Sequence, residues 1–162
     1  MTVLPIVTGA DTPVLRSKTQ RVGKPTKEIL ALLRDMEETT RNADGLGLAA
    51  PQVNTSVRVC VARINGRLTP LIDPDITWRS DKMELAEEGC LSLPGIWMSV
   101  PRAQGIVLRY VDGRGQKQER RLEGIDARVV QHEVDHLDGI LIVDYRAPGV
   151  EVPRTRKADV VG

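Results

Sequence analysis

Gln131-His132-Glu133-Val134-Asp135-His136 is the stretch from which the rest of this chain is best read. On an α-helix each residue turns about 100°, so two histidines four apart point the same way and the intervening glutamate projects beside them. This is the H-E-x-x-H pattern of hydrolytic metal sites, in which two imidazoles hold a divalent cation and the carboxylate handles a proton. Two protein ligands do not complete a site, so a third must come from elsewhere.

Working outward, the segment from Asp126 to Asp138 divides into three stripes. Arg128, Gln131, Asp135 and Asp138 share one polar side, and Ala127, Val130, Val134 and Leu137 form an apolar one. Val129, His132, Glu133 and His136 make the third. A lone histidine on such a helix is usually a hydrogen-bonded core residue. Two histidines and a glutamate on one face have no structural reason to converge, and a metal site explains all three. Gly139 ends the helix, and Ile140-Leu141-Ile142-Val143 reads as a last buried strand. Residues 148–162, with Pro148, Gly149 and Pro153, are expected to form a short mobile tail after a catalytic domain spanning 1–147.

The remaining ligand candidates are the cysteines and a carboxylate. Cys90 lies in Glu87-Glu88-Gly89-Cys90-Leu91-Ser92-Leu93-Pro94-Gly95, whose Pro94-Gly95 predicts a turn that would present the sulfur outward. Cys-His-His with an open fourth position is a catalytic arrangement, whereas a closed structural site needs four protein ligands. Cys60 stays open as a fourth, but among the valines of Arg58–Ile64 it reads more simply as a small buried hydrophobe.

Elsewhere the chain is plainer. A short helical turn is expected around Val14-Leu15-Arg16, and an amphipathic helix from Pro25-Thr26 to Asp44-Gly45. Gly45-Leu46-Gly47-Leu48-Ala49-Ala50-Pro51-Gln52 lacks the Gly-Lys-Ser/Thr of a phosphate loop and by itself reads as a bend. Arg58–Ile64 and Leu68–Ile72 form a hairpin about Asn65-Gly66, with Pro70 marking an edge or a strand start. Ile76–Met83 is another strand, and Ile106–Val111 with Gln116–Leu122 a second hairpin. Two long helices among several short strands, without regular alternation, predict an α+β fold of mostly antiparallel strands around the histidine-bearing helix. Phe is absent and Trp and Tyr number two each, so the core must be aliphatic and base stacking is an unlikely mode of binding. A formal charge of +1 gives no footprint for a polyanion, and no run reaches the length of a membrane span. No leader segment is read at Met1-Thr2-Val3-Leu4-Pro5, and two cysteines make no disulfide framework, so a reduced cytoplasmic setting is expected.

Three segments in order resemble the signature of the peptide deformylases: Gly45–Gln52, Glu88-Gly89-Cys90-Leu91-Ser92, and Gln131–Leu137. H-E-x-x-H alone is weakly specific, but the three together are highly so, and they turn the glycine stretch from a bend into a ligand site. The resemblance implies hydrolysis of the N-formyl group from the initiator methionine of new polypeptides, releasing formate. By carry-over, Cys90, His132 and His136 hold one metal, Fe²⁺ in the native form with Zn²⁺, Ni²⁺ or Co²⁺ as substitutes. Glu133 is the general base and acid, and Gln52 with the backbone N–H of Leu91 stabilises the oxyanion. The peptide would lie extended against Gly47 and Gly89, its methionine side chain walled by Leu46, Leu91 and Val129, with Trp97 near the entrance. Glu88 and Arg102 are expected to pair behind the metal ligands and orient the Cys90 strand. The long basic C-terminal helix that many bacterial members use on the ribosome is not matched here, which puts ribosome docking in doubt; neither membrane nor sequence-specific nucleic-acid binding is expected. Leu122-Glu123-Gly124 looks compacted relative to the family, which would alter the pocket rim.

Two other readings compete. A zinc endopeptidase shares H-E-x-x-H but takes its third ligand downstream, as His or Glu, whereas this chain offers an upstream cysteine. A non-catalytic metal-binding relative would have no need of Glu133 or Gln52.

Overall fold

The computed structural model describes residues 1–145 and 161–162. Helix α1 spans Pro13–Arg16 and α2 spans Lys27–Asn42. Strands follow at β1 (Gly47–Ala49), β2 (Val59–Ile64), β3 (Arg67–Arg79), β4 (Met83–Cys90), β5 (Leu93–Ala103), β6 (Gly105–Val111) and β7 (Lys117–Glu123). Helix α3 covers Gly124–Leu137, and 3-10 turns occupy Ala50–Val53 and Ile142–Tyr145. The first sheet is antiparallel in the order β1-β2-β3-β6-β7, and β4 and β5 form a separate antiparallel pair. The architecture is α+β.

Strand β2 explains how the first sheet is covered on both faces. Side chains alternate across a strand, so a strand buried on both sides reads as an unbroken apolar run. Cys60, Ala62 and Ile64 face one way and pack with Leu71, Ile106 and Leu108 against Ala127, Val130, Val134 and Leu137 of α3. Val59 and Val61 face the other way and meet Leu33 and Met36 of α2, together with Leu48 and Ile72. Cys60 is buried in this core, as a small hydrophobe would be. Among the described residues no Trp or Tyr is one of the largest fully buried side chains, which are leucine, isoleucine and methionine with His132.

Thr26 caps α2 by accepting the Ile29 N–H, a contact of a kind that contributes about 1 kcal/mol. A third cluster joins Leu15 of α1 to Cys90, Leu93, Met98 and Val100 of the β4–β5 pair and to Leu141 and Ile142. The otherwise irregular N-terminal segment braces the site, because Val7 N–H donates to the Gln52 carbonyl at 2.7 Å and Gly9 N–H to that of Ser92 at 3.0 Å.

Several local expectations are corrected. Leu68–Ile72 and Ile76–Met83 are not two strands; residues 67–79 run as one, bent by register shifts beside Asp73, which has φ 50°. Pro70 sits inside β3, tolerated because β2 pairs with it on one side and β6 begins its pairing only at Ile72. Pro94-Gly95 is not the turn. Those residues lie in β5, an edge strand that can accept proline, and Leu91-Ser92 makes the reversal. Ile140–Val143 is not a strand either: Ile142 starts a 3-10 turn that packs on the β4–β5 pair. Of the expected mobile tail, residues 148–160 lie outside the described residues, whereas Val161 is only 2% exposed.

Candidate active site

Helix α3 presents His132, Glu133 and His136 on one side, all at most 1% exposed. The two imidazole centroids stand 5.0 Å apart, close to one helical turn. The end of β4 brings in Cys90, and one ligand atom from each of Cys90, His132 and His136 lies within 4.8 Å of the others. Cys90 Sγ is 3.4 Å from His136 Nε2. The thiol was expected to point outward; instead it is 4% exposed and turned onto the helix, because β5 and the N-terminal segment cover it.

Behind the histidines lies a buried charge network. Glu88 is fully buried, and each of its oxygens has two partners. Oε1 accepts from His132 Nδ1 at 2.8 Å and from Arg102 at 2.9 Å. Oε2 accepts from Arg102 Nε at 3.0 Å and from Arg128 at 2.5 Å. A carboxylate can only accept here, so His132 carries its proton on Nδ1 and points the Nε2 lone pair into the site, where the Gly162 oxygen stands 2.5 Å away. Burial alone would raise the Glu88 carboxyl, but the hydrogen bonds and charges of His132 and Arg102 outweigh it and hold the group well below the ordinary carboxylate range. Arg102 also reaches Asp135 at 2.5 Å, and Asp135 accepts the Tyr145 hydroxyl at 2.6 Å.

Arg128 is one of the residues that sequence reasoning missed, with Asp135 and Tyr145. Its stripe on α3 could have been solvated, but it faces β4 and β5, where Arg128 also donates to the carbonyls of Val100 and Glu84. Gln131 on the same stripe bonds both the N–H and the carbonyl of Ala103, pinning α3 to β5.

The donor set fits a divalent cation. His132 Nε2, His136 Nε2 and Cys90 Sγ converge within 4.8 Å of one another, with the Cys90 thiol facing His136 Nε2. Burial, followed by the neighbouring His132, lowers His136 to about 3, so its imidazole is neutral and ready to ligate. Burial chiefly pushes the Cys90 thiol up to about 12, a proton that a bound metal would displace. Glu133 is completely buried, and neither of its oxygens has a hydrogen-bond partner among the described residues. Its carboxyl is raised well above the usual range, first by burial and then by the charge of Glu88.

Around this centre, Gln52 is fully buried in the turn after β1. Its Oε1 accepts the Ala49 N–H at 2.9 Å, and Nε2 donates to Ser92 Oγ at 3.1 Å. Leu91 follows Cys90 directly in the β4–β5 turn. Gly47 abuts Glu133: a Cβ there would run into the carboxyl group and the Val61 carbonyl. Gly89 pairs with Trp97, whose ring lies against the space a Cβ would fill. Val129 and Leu46 belong to the α3-side core, whereas Leu91 packs with the α2-side core and touches the space beside Gly45. The three suggested pocket walls therefore come from both faces of the sheet. An open groove lined by Gly89, Cys90, Leu91, Leu93, Ile96 and Trp97 runs along the Cys90 turn.

Residues 3–151 match the family model for polypeptide deformylase. The chain is 41% identical over 132 residues to a peptide deformylase of Pseudothermotoga lettingae, covering 82% of this chain and 77% of that one. It is 46% identical to one from Dictyoglomus thermophilum, covering 82% and 86% respectively. Among solved structures, peptide deformylase from Thermotoga maritima superposes with a TM-score of 0.87 at 40% identity, covering 91% of this chain and all 100% of that one. The Ehrlichia chaffeensis enzyme in complex with actinonin gives 0.87 at 35% identity, covering 91% of each. Fold and site together define an α+β metallohydrolase that acts on a linear amide. The chain belongs to the polypeptide deformylase family, and its activity is removal of the N-formyl group from newly made polypeptides.

Proposed function

We propose that Cys90, His132 and His136 hold one divalent cation, Fe²⁺ in the native enzyme, and that Glu133 is the proton carrier of the reaction. The observation that carries this reading is the convergence of two imidazole nitrogens and a sulfur within 4.8 Å, beside a buried glutamate with no partner among the described residues. When bound, such an ion polarises a carbonyl oxygen and acidifies water. Glu133 takes the proton of the attacking water and delivers it to the methionine nitrogen as formate leaves. Gln52 Nε2 and the Leu91 N–H donate to the formyl oxygen as it gains negative charge. Leu46, Val129 and Leu91 wall the methionine side chain, and Gly47 and Gly89 pair with the extended main chain. Glu88 and Arg102, with Arg128, hold His132 in the tautomer that ligates.

Substrates are N-formylmethionyl nascent chains, met in the cytoplasm. No helix among the described residues is long and apolar enough to cross a membrane. The C-terminal segment that bears on ribosome docking lies mostly outside the described residues.

Stripping the protein with a chelator should abolish formate release, and one equivalent of Co²⁺ should restore it with a near-ultraviolet thiolate-to-metal absorption. That absorption should vanish in Cys90→Ser. Full activity in thoroughly stripped protein, or a Co²⁺ spectrum unchanged by Cys90→Ser, would overturn the ligand set. Gly47→Ala should displace Glu133, because the new methyl group meets its carboxyl. A misplacement on this scale lowers kcat about 10²-fold. Steady-state kinetics beside a circular dichroism spectrum that matches the parent checks this, and an unchanged kcat would count against the close packing.

A further inference from the structure

The group nearest the two histidines comes from the chain itself. The carbonyl oxygen of Gly162 lies 2.5 Å from His132 Nε2 and 3.1 Å from His136 Nε2. One residue earlier, the Val161 N–H donates to the Gly89 carbonyl at 3.1 Å, extending main-chain pairing from β4. The Val161 side chain is 2% exposed and belongs to the apolar cluster that contains Val129 and meets Leu46. Gly162 is wedged so closely against Glu133 and the Gly47 carbonyl that a Cβ would collide with both. Only glycine fits there.

These contacts match those of a bound peptide in three respects: a main-chain oxygen at the ligand histidines, a paired main chain, and an apolar side chain in the pocket assigned to methionine. The chain nevertheless runs opposite to a formyl-methionyl substrate, whose formyl carbonyl precedes the side chain rather than follows it. We propose that residues 161–162 are an internal ligand of the peptide site, which substrate must displace. The inference rests on the reading of Cys90, His132 and His136 as metal ligands and of Gly89 and Val129 as peptide contacts. Valine is shorter than methionine and branched, so it fills the pocket less completely and yields to the formylated substrate.

The test compares three Co²⁺-loaded proteins: the full chain, a chain ending at residue 160, and Val161→Asp. With the internal ligand removed or expelled, KM for a short formyl-methionyl peptide should fall at least about threefold while kcat is unchanged, since occupancy of the competent state scales apparent affinity. The visible d–d absorption of the substrate-free Co²⁺ protein should also differ between the full chain and the shortened one. Identical KM values and identical spectra would overturn the proposal while leaving the deformylase reading intact. Absence of turnover in all three proteins would instead indict the underlying site. A KM difference that grows with protein concentration would assign the segment to a neighbouring copy and overturn its placement within one chain.

Discussion

Glu133→Gln is expected to bind metal with near-parental affinity and to lose formate release by roughly 10²–10⁴-fold, the range of a positioned proton carrier. The substitution preserves volume in a site where the carboxyl is completely buried, so the fold should survive. Both carboxyl oxygens are without a partner among the described residues, so an amide there breaks no hydrogen bond in the resting protein. The loss should therefore fall on kcat rather than on stability. Metal content by atomic absorption and a denaturation midpoint, taken beside the kinetics, separate the two. A variant with near-parental turnover would remove Glu133 from the mechanism.

Glu88→Ala is expected to be the most destabilising single change in the site. It leaves the Arg102 and Arg128 guanidiniums and the His132 Nδ1–H without their shared acceptor, in a place where Arg102 is 3% and Arg128 7% exposed. Removing one partner of a buried charge network costs about 3–5 kcal/mol, because the charges left behind remain desolvated. Loss of the group that fixes a ligating imidazole also weakens metal affinity about 10–100-fold. Urea denaturation and competitive metal titration measure the two effects. A midpoint and an affinity both equal to the parent's would show that Glu88 neither supports the fold nor orients His132.

These two residues also mark what the sequence made legible and what it hid. Glu133 stood out because the 3.6-residue period alone places it with His132 and His136, whatever surrounds the helix. Arg128 did not, since an arginine on a polar stripe looks the same whether it meets water or a carboxylate forty residues away, and here Glu88 is 40 positions distant. Cys90 was recognisable by residue type, but its burial depends on β5 and on the N-terminal brace, which no local pattern announces. Strand β4 was hidden because its first four residues, Met83 to Ala86, are exposed on both faces and so show no apolar alternation. The apolar run at Ile140–Val143 failed for the opposite reason: short buried segments of either kind read alike. The hairpin of β6 and β7 was legible because both its turn chemistry and its strand pattern are local.

The most direct test of the account is formate release from a short formyl-methionyl peptide by protein reconstituted anaerobically with Fe²⁺, run beside the acetyl-methionyl peptide and an unformylated peptide. The account predicts rapid release from the formylated substrate alone, with the other two left intact. Cleavage of internal bonds in the unformylated peptide, or no release from folded and metal-loaded protein, would contradict it.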